Sequence, residues 1–265
     1  MYASNPAFKG VVPIPQDDGP HPLAQIAYSE HYAEAMSYLR ALMVGDGEMS
    51  ERALELTGDI IAMNPAHYTV WYSLLSIVVN YRAYRTRILF ALEIDLSDEL
   101  DFIDGIAEEN PKNYQIFHHR QLITEEMSKR GTANFERELD FTEQLINADQ
   151  KNYHVWSYRY YISREVDLSY RQWLVKYFGL PSSLEVAFTT RLIENDILNN
   201  SAWSHRYYTL FGNGNTSNEI NDKVVDSEIE YSQKIIRMLS SNAAPWSYLR
   251  GYTAYIHSSL MTTVC

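Results

Sequence analysis

From about Tyr28 onward, apolar residues recur at spacings of three and four with charged or amide residues between them. Glu99-Leu100-Asp101-Phe102-Ile103-Asp104-Gly105-Ile106 is typical, with Leu100, Ile103 and Ile106 in three-residue steps. That spacing keeps the apolar residues on one face of an α-helix and predicts helix almost to the end of the chain. No period-two alternation of the kind a half-buried strand needs is present; the short apolar run Leu74 to Val79 fits either element. Residues 1–27 carry Pro6, Pro13, Pro15, Pro20 and Pro22 and predict an extended N-terminal arm.

The helical pattern repeats. Five aromatic residues, Trp71, Phe117, Trp156, Trp203 and Trp246, each follow an apolar anchor (Leu56, Phe102, Phe141, Phe188 and Tyr231) by 15 residues. Arg120, Arg159 and Arg206 lie three residues after their aromatics. One spacing held across five copies predicts five stacked helical hairpins, because such units bury their apolar faces only against one another. The first helix of a hairpin ends at Asn64-Pro65 or Asn110-Pro111, since the residue before proline avoids the helical region. Asn113 and Asn152 suit the N-cap of the second helix, where a side-chain oxygen accepts an orphan N–H. The four tryptophans are expected in the core, and Glu99 and Glu138 on the helix surface. The fold class predicted is all-α, a right-handed solenoid of helical hairpins over residues 28–251.

Composition narrows the chemistry. With 22 Lys+Arg against 34 Asp+Glu the formal charge is −12, which argues against nucleic acid or an anionic membrane as a general partner. Cys265 is the single cysteine, so neither a disulfide framework nor a Cys-based zinc site forms within the chain, and a reducing, cytoplasmic location is expected. No run of 18 apolar residues predicts a membrane span, and residues 1–16 lack a signal-peptide pattern. His118 and His119 diverge by about 100° on a helix and do not suggest a metal site. No nucleophile–base pair or glycine-rich phosphate loop is visible; Gly212-Asn213-Gly214-Asn215 reads as a turn.

The motif Pro-Lys-Asn-Tyr-Gln-x-aromatic-His-His-Arg over 111–120 resembles the alpha subunits of protein prenyltransferases, as do Lys151 to Arg159 and Asn199 to Arg206. The Lys-Asn-Tyr form is most similar to the alpha subunit shared by farnesyltransferase and type I geranylgeranyltransferase, and the resemblance covers about Tyr28 to Gly251. It implies a crescent of hairpins wrapped around a beta subunit, inactive alone, in an enzyme that moves a farnesyl or geranylgeranyl group from its diphosphate to a cysteine thiol near a protein C-terminus. Zinc, with magnesium as a further candidate, is expected with the beta subunit and no metal in this chain. By motif position Lys112, Tyr153 and His154 would contact the diphosphate, and Gln115 would bind the substrate's C-terminal carboxylate. Tyr68, Asn113, Tyr114 and Asn152 would be rim neighbours. The alternatives are a non-catalytic helical-repeat scaffold and the alpha subunit of a Rab-type geranylgeranyltransferase.

Two stretches break the pattern. The distances from aromatic to next anchor are 102−71=31, 141−117=24, 188−156=32 and 231−203=28. Polar loops account for the 24 and the 28. Removing Ser73 to Ala83 joins Trp71-Tyr72 to Tyr84-Arg85 and restores an arginine three after the tryptophan. Ser157-Tyr158-Arg159 recurs as Ser169-Tyr170-Arg171, so about 160–171 reads as a second insertion. Each is either a lineage-specific insertion or retained intron sequence. Residues 252–265 lack the repeat pattern, and the C-terminus reads as truncated.

Overall fold

The computed structural model describes residues 1–21, 24, 26–71, 84–156, 170–212 and 222–251, apart from the side chains of 153, 154 and 222. The described residues contain no strand. They form two compact units, Met1–Ala133 and Asn134–Cys265. The first holds α1 (Glu30–Leu42), α2 (Glu51–Met63), α3 (Tyr68–Trp71), α4 (Tyr84–Ala91), α5 (Leu96–Glu109) and α6 (Tyr114–Lys129). The second holds α7 (Phe135–Ala148), α8 (Tyr153–Trp156), α9 (Tyr170–Phe178), α10 (Ser182–Asn195), α11 (Asn200–Tyr207), α12 (Asp222–Met238) and α13 (243–251). Within each unit helical hairpins pack side by side, the all-α repeat class that the periodicity predicts. Leu74 to Val79 and the segment 73–83 lie outside the described residues, as do 160–169 and 252–265.

Local signals set the ends of the helices. Ser29, Ser50 and Asp95 accept hydrogen bonds from Tyr32 N, Ala53 N and Ser97 N at the starts of α1, α2 and α5. α2 and α5 stop at Asn64 and Asn110, each followed by proline. Asn113 caps α6 through Gln115 N at 3.0 Å, and Asn152 Oδ1 accepts from Val155 N at 3.4 Å.

Every position of the repeat has a defined job. The motif tryptophan donates its indole N–H to the carbonyl six residues before it: Trp71 to Pro65, Trp156 to Gln150, Trp203 to Ile197 and Trp246 to Ser240. The next hairpin covers three of these rings, His119 lying 4.9 Å from Trp71, His205 5.3 Å from Trp156 and Tyr248 5.2 Å from Trp203. Trp246, expected in the core, is instead 47% exposed, because no described residue takes the covering position over it.

Glu99 and Glu138 correct the sequence expectation in the opposite sense. Both are buried, together with Glu185 and Glu228 at the same position, three before the anchor. Each takes a hydrogen bond from a His or Tyr of its own hairpin: His119 to Glu99, Tyr170 to Glu138, His205 to Glu185 and Tyr248 to Glu228. Three of them also receive a bidentate arginine from the preceding hairpin, Arg85 on Glu99, Arg171 on Glu185 and Arg206 on Glu228. Their guanidinium carbons stand 4.5, 3.6 and 4.6 Å from the rings of Phe102, Phe188 and Tyr231. A helical period reports that one face is buried but not that one polar residue per hairpin sits in it, fully paired.

Two short stretches at the start of the arm depart from the extended form expected. Residues 2–4 and 6–8 make short 3₁₀ turns that bury Tyr2 and Phe8. The Tyr2 hydroxyl donates to Asp59 at 2.6 Å, and Arg52 donates to Ala7 O at 2.7 Å. Phe8 packs edge-on against Tyr38 at 5.4 Å. These contacts pack the start of the arm against α1 and α2.

Candidate functional site

Between the turn ending α2 and the turn opening α6 lies a groove of about 560 Å³, lined by Asn64 to Ala66 and by Glu109 to Gln115. The Pro111-Lys112 turn is closed by Asn113 N donating to Asn110 O at 3.0 Å. It is tied to the neighbouring hairpin by two side chains. Asn113 Nδ2 donates to Pro65 O at 2.6 Å, and Gln115 Nε2 donates to Ala66 O at 3.3 Å.

These ties leave Lys112 and Tyr114 as the exposed donors at the groove, Tyr114 being 53% exposed. Gln115 is buried, and its amide nitrogen retains a second N–H beyond the bond to Ala66. The α6 N-terminus adds the positive end of a 16-residue helix. Glu109 is exposed on the same lining, so the charge there is mixed. Tyr68, half-exposed, opens α3 and stacks on His67 at 6.1 Å with an interplanar angle of 11°. Burial lowers the His67 pKa and favours the neutral ring. Such an arrangement offers an ammonium, phenols and amides to an anion; it holds no nucleophile with an adjacent base.

Of the residues singled out in the sequence, the first unit brings Lys112, Asn113, Tyr114 and Gln115 to one groove. In the second unit Asn152 is buried and caps α8, whose first residues are Tyr153 and His154. The side chains of Tyr153 and His154 lie outside the described residues.

Among the described residues no group of three or more His, Cys, Asp or Glu side chains is placed to hold an ion. Both ring nitrogens of His119 are engaged, by Thr86 at 2.9 Å and Glu99 at 2.7 Å. Burial, and secondarily His119, pushes the His118 pKa down to about 4. No helix among the described residues is long and apolar enough to cross a membrane.

The role of Asn113 in tying two hairpins together is not one the sequence reading assigned. A signal for it is present: Asn113, Asn152, Asn199 and Asn242 each stand four residues before a motif aromatic, and His67 takes that position in the first repeat.

The protein prenyltransferase alpha subunit repeat is matched at residues 50–81, 96–127, 135–165 and 183–212. Over 127 residues the chain is 46% identical to the protein farnesyltransferase/geranylgeranyltransferase type-1 subunit alpha of Schizosaccharomyces pombe, a match covering 48% of this chain and 37% of that protein. The subunit of the same name from Solanum lycopersicum is 46% identical over 111 residues, 42% of this chain and 29% of its own length. These matches therefore span well under half of each relative. The structure of Candida albicans protein geranylgeranyltransferase-I complexed with GGPP is similar over 93% of this chain and 74% of its matched chain, with 35% identity and a TM-score of 0.78.

Proposed function

The chain belongs to the family of protein prenyltransferase alpha subunits, and on that premise we propose that it is the alpha subunit of a heterodimeric enzyme of the farnesyltransferase/type I geranylgeranyltransferase class. The enzyme moves a farnesyl or geranylgeranyl group from its diphosphate to a cysteine thiol near a protein C-terminus. The cysteine sulfur bonds to C1 of the isoprenoid as the C1–oxygen bond breaks, the thiol proton is lost, and diphosphate leaves. The beta subunit supplies the zinc and most of the isoprenoid pocket, and this chain alone is inactive. The observation that carries the reading is the groove itself, where an exposed ammonium and phenol stand on a turn tied to the neighbouring hairpin.

In this reading Lys112, with Tyr153 and His154, meets the negative charge that grows on the departing diphosphate. Gln115 uses its remaining N–H on the carboxylate of the substrate's C-terminus. Tyr68 and Tyr114 stand at the rim, while Asn113 and Asn152 serve by capping their helices. The test is Lys112→Ala in a purified heterodimer with a candidate beta subunit. Single-turnover transfer should slow by about 10²–10³, the usual cost of removing one electrostatic donor of this kind. Unchanged transfer in an intact heterodimer refutes the assignment, and it is the result that a pure scaffold role demands.

A further inference from the structure

We infer that Asn113 is a positioning residue for Lys112, holding the turn that carries it against the preceding hairpin. The inference rests on the functional reading above. Both polar atoms of the Asn113 side chain are committed, Oδ1 to Gln115 N at 3.0 Å and Nδ2 to Pro65 O at 2.6 Å. The same Pro65 carbonyl accepts the Trp71 indole N–H at 2.7 Å, so it is itself fixed to the core. With Asn113 N closing on Asn110 O, the backbone either side of Lys112 is pinned by Pro111 and by Asn113. A long, flexible lysine is placed no better than its Cα, and an error near 1 Å at a reacting centre can cost about 10²-fold.

The molecule contains its own control. In the second unit Asn242 makes the same tie: Nδ2 donates to Ile197 O at 2.6 Å, Oδ1 accepts from Ala244 N at 3.1 Å, and Trp203 donates to the same carbonyl at 3.4 Å. The residue before Asn242 is Ser241, with no charge to place. One tie therefore serves stability alone, and the other serves stability and the placement of an ammonium.

The experiment measures single-turnover transfer in the heterodimer for Asn113→Ser, Asn242→Ser, Lys112→Ala and Lys112→Ala/Asn113→Ser. Serine keeps the helix cap but is too short to reach the neighbouring carbonyl. N113S should slow transfer by about 10-fold. N242S should change it less than about twofold, and N113S should cost nothing further once Lys112 is gone, the non-additivity expected of coupled residues. If N113S fails to assemble, Asn113→Thr is read through the same cycle. An N113S effect equal to that of N242S, or one that persists in full in the K112A background, overturns the proposal. A wild-type heterodimer that transfers nothing overturns the functional reading itself, and this inference with it.

Discussion

The hairpins around Trp203 and Trp156 make the same contacts with very different lengths of chain. After Trp203 the buried arginine comes three residues on, at Arg206; it grips Glu228 and donates to Val186 O at 2.9 Å and Thr189 Oγ1 at 3.2 Å. After Trp156 the residue in that place is Arg171, 171−156=15 positions on. It grips Glu185 and donates to Leu139 O at 3.4 Å and Thr142 Oγ1 at 2.8 Å. The residue before each arginine is matched too, His205 on Glu185 and Tyr170 on Glu138, both at 2.6 Å. The first unit repeats the lesson, with Arg85 on Glu99, Leu54 O and Thr57 Oγ1, 14 residues after Trp71. A repeat is thus set by which carboxylate and carbonyl an arginine reaches. Tyr170 and Arg171, at the edge of the apparent second insertion, thus occupy the places that His205 and Arg206 take in the next hairpin.

The sharpest way to break this comparison is Arg171→Ala. It would leave Glu185, 0% exposed in its side chain, with His205 as its remaining ionic partner. Removing one partner of a buried pair costs about 3–5 kcal/mol. If Arg171 holds the slot, Arg159→Ala, three residues after Trp156 in sequence, should cost less than about 0.5 kcal/mol. Urea unfolding midpoints of the two variants decide it. A larger loss for Arg159 would mean that the first copy, not the second, holds the slot.

Acid should act next most strongly, and on the same ladder. Burial alone would raise the Glu185 carboxyl; the hydrogen bonds from His205 and Arg171 outweigh it and hold the pKa at about 2, below the ordinary 4.5. A carboxyl lowered in the folded state contributes stability that is full above its unfolded pKa and is lost as pH falls towards the folded one. Glu99 is lowered in the same sense, with His119 and Arg85 outweighing burial. Thermal melting should therefore drop as pH falls from about 4.5 towards 2, and Arg171→Ala should move that drop to higher pH. A melting temperature flat across this window would remove the ladder from the list of stabilising features.

The hairpins, their anchors and their caps were legible because each is a local regularity: a 15-residue spacing, a proline after asparagine, an asparagine before a helix. The ladder was not, although Glu99, Glu138, Glu185 and Glu228 all stand three before an anchor. A charged residue on a helix is ordinarily solvated, and its burial is made tolerable by partners distant in sequence, such as Tyr170 for Glu138 and His205 with Arg171 for Glu185. The groove residues were legible by motif, whereas the tie from Asn113 to Pro65 joins residues 48 apart in sequence. Trp246 misled for the reverse reason, since its spacing is right and its burial depends on a neighbour rather than on itself.

The smallest expected effect tests the comparison from the other side. If Arg85 and Arg171 already fill their slots, removing residues 73–83 and 157–168 should leave the ladder whole. The deletions place Arg85 three after Trp71, since 85−11=74, and Arg171 three after Trp156, since 171−12=159. The Trp71, Phe117 and Trp156 hairpins would then share the three-residue step from aromatic to arginine of the Trp203 hairpin. Closing a stretch of about 12 residues costs about 2 kcal/mol in chain entropy, so each deletion should stabilise by at most that much. The double deletion should therefore melt several degrees higher than the full chain, with Arg171→Ala just as damaging in it as before. A lower melting temperature would mean that these residues make contacts the uninterrupted hairpins do without, and that equal ladder contacts do not make the two kinds of hairpin equivalent.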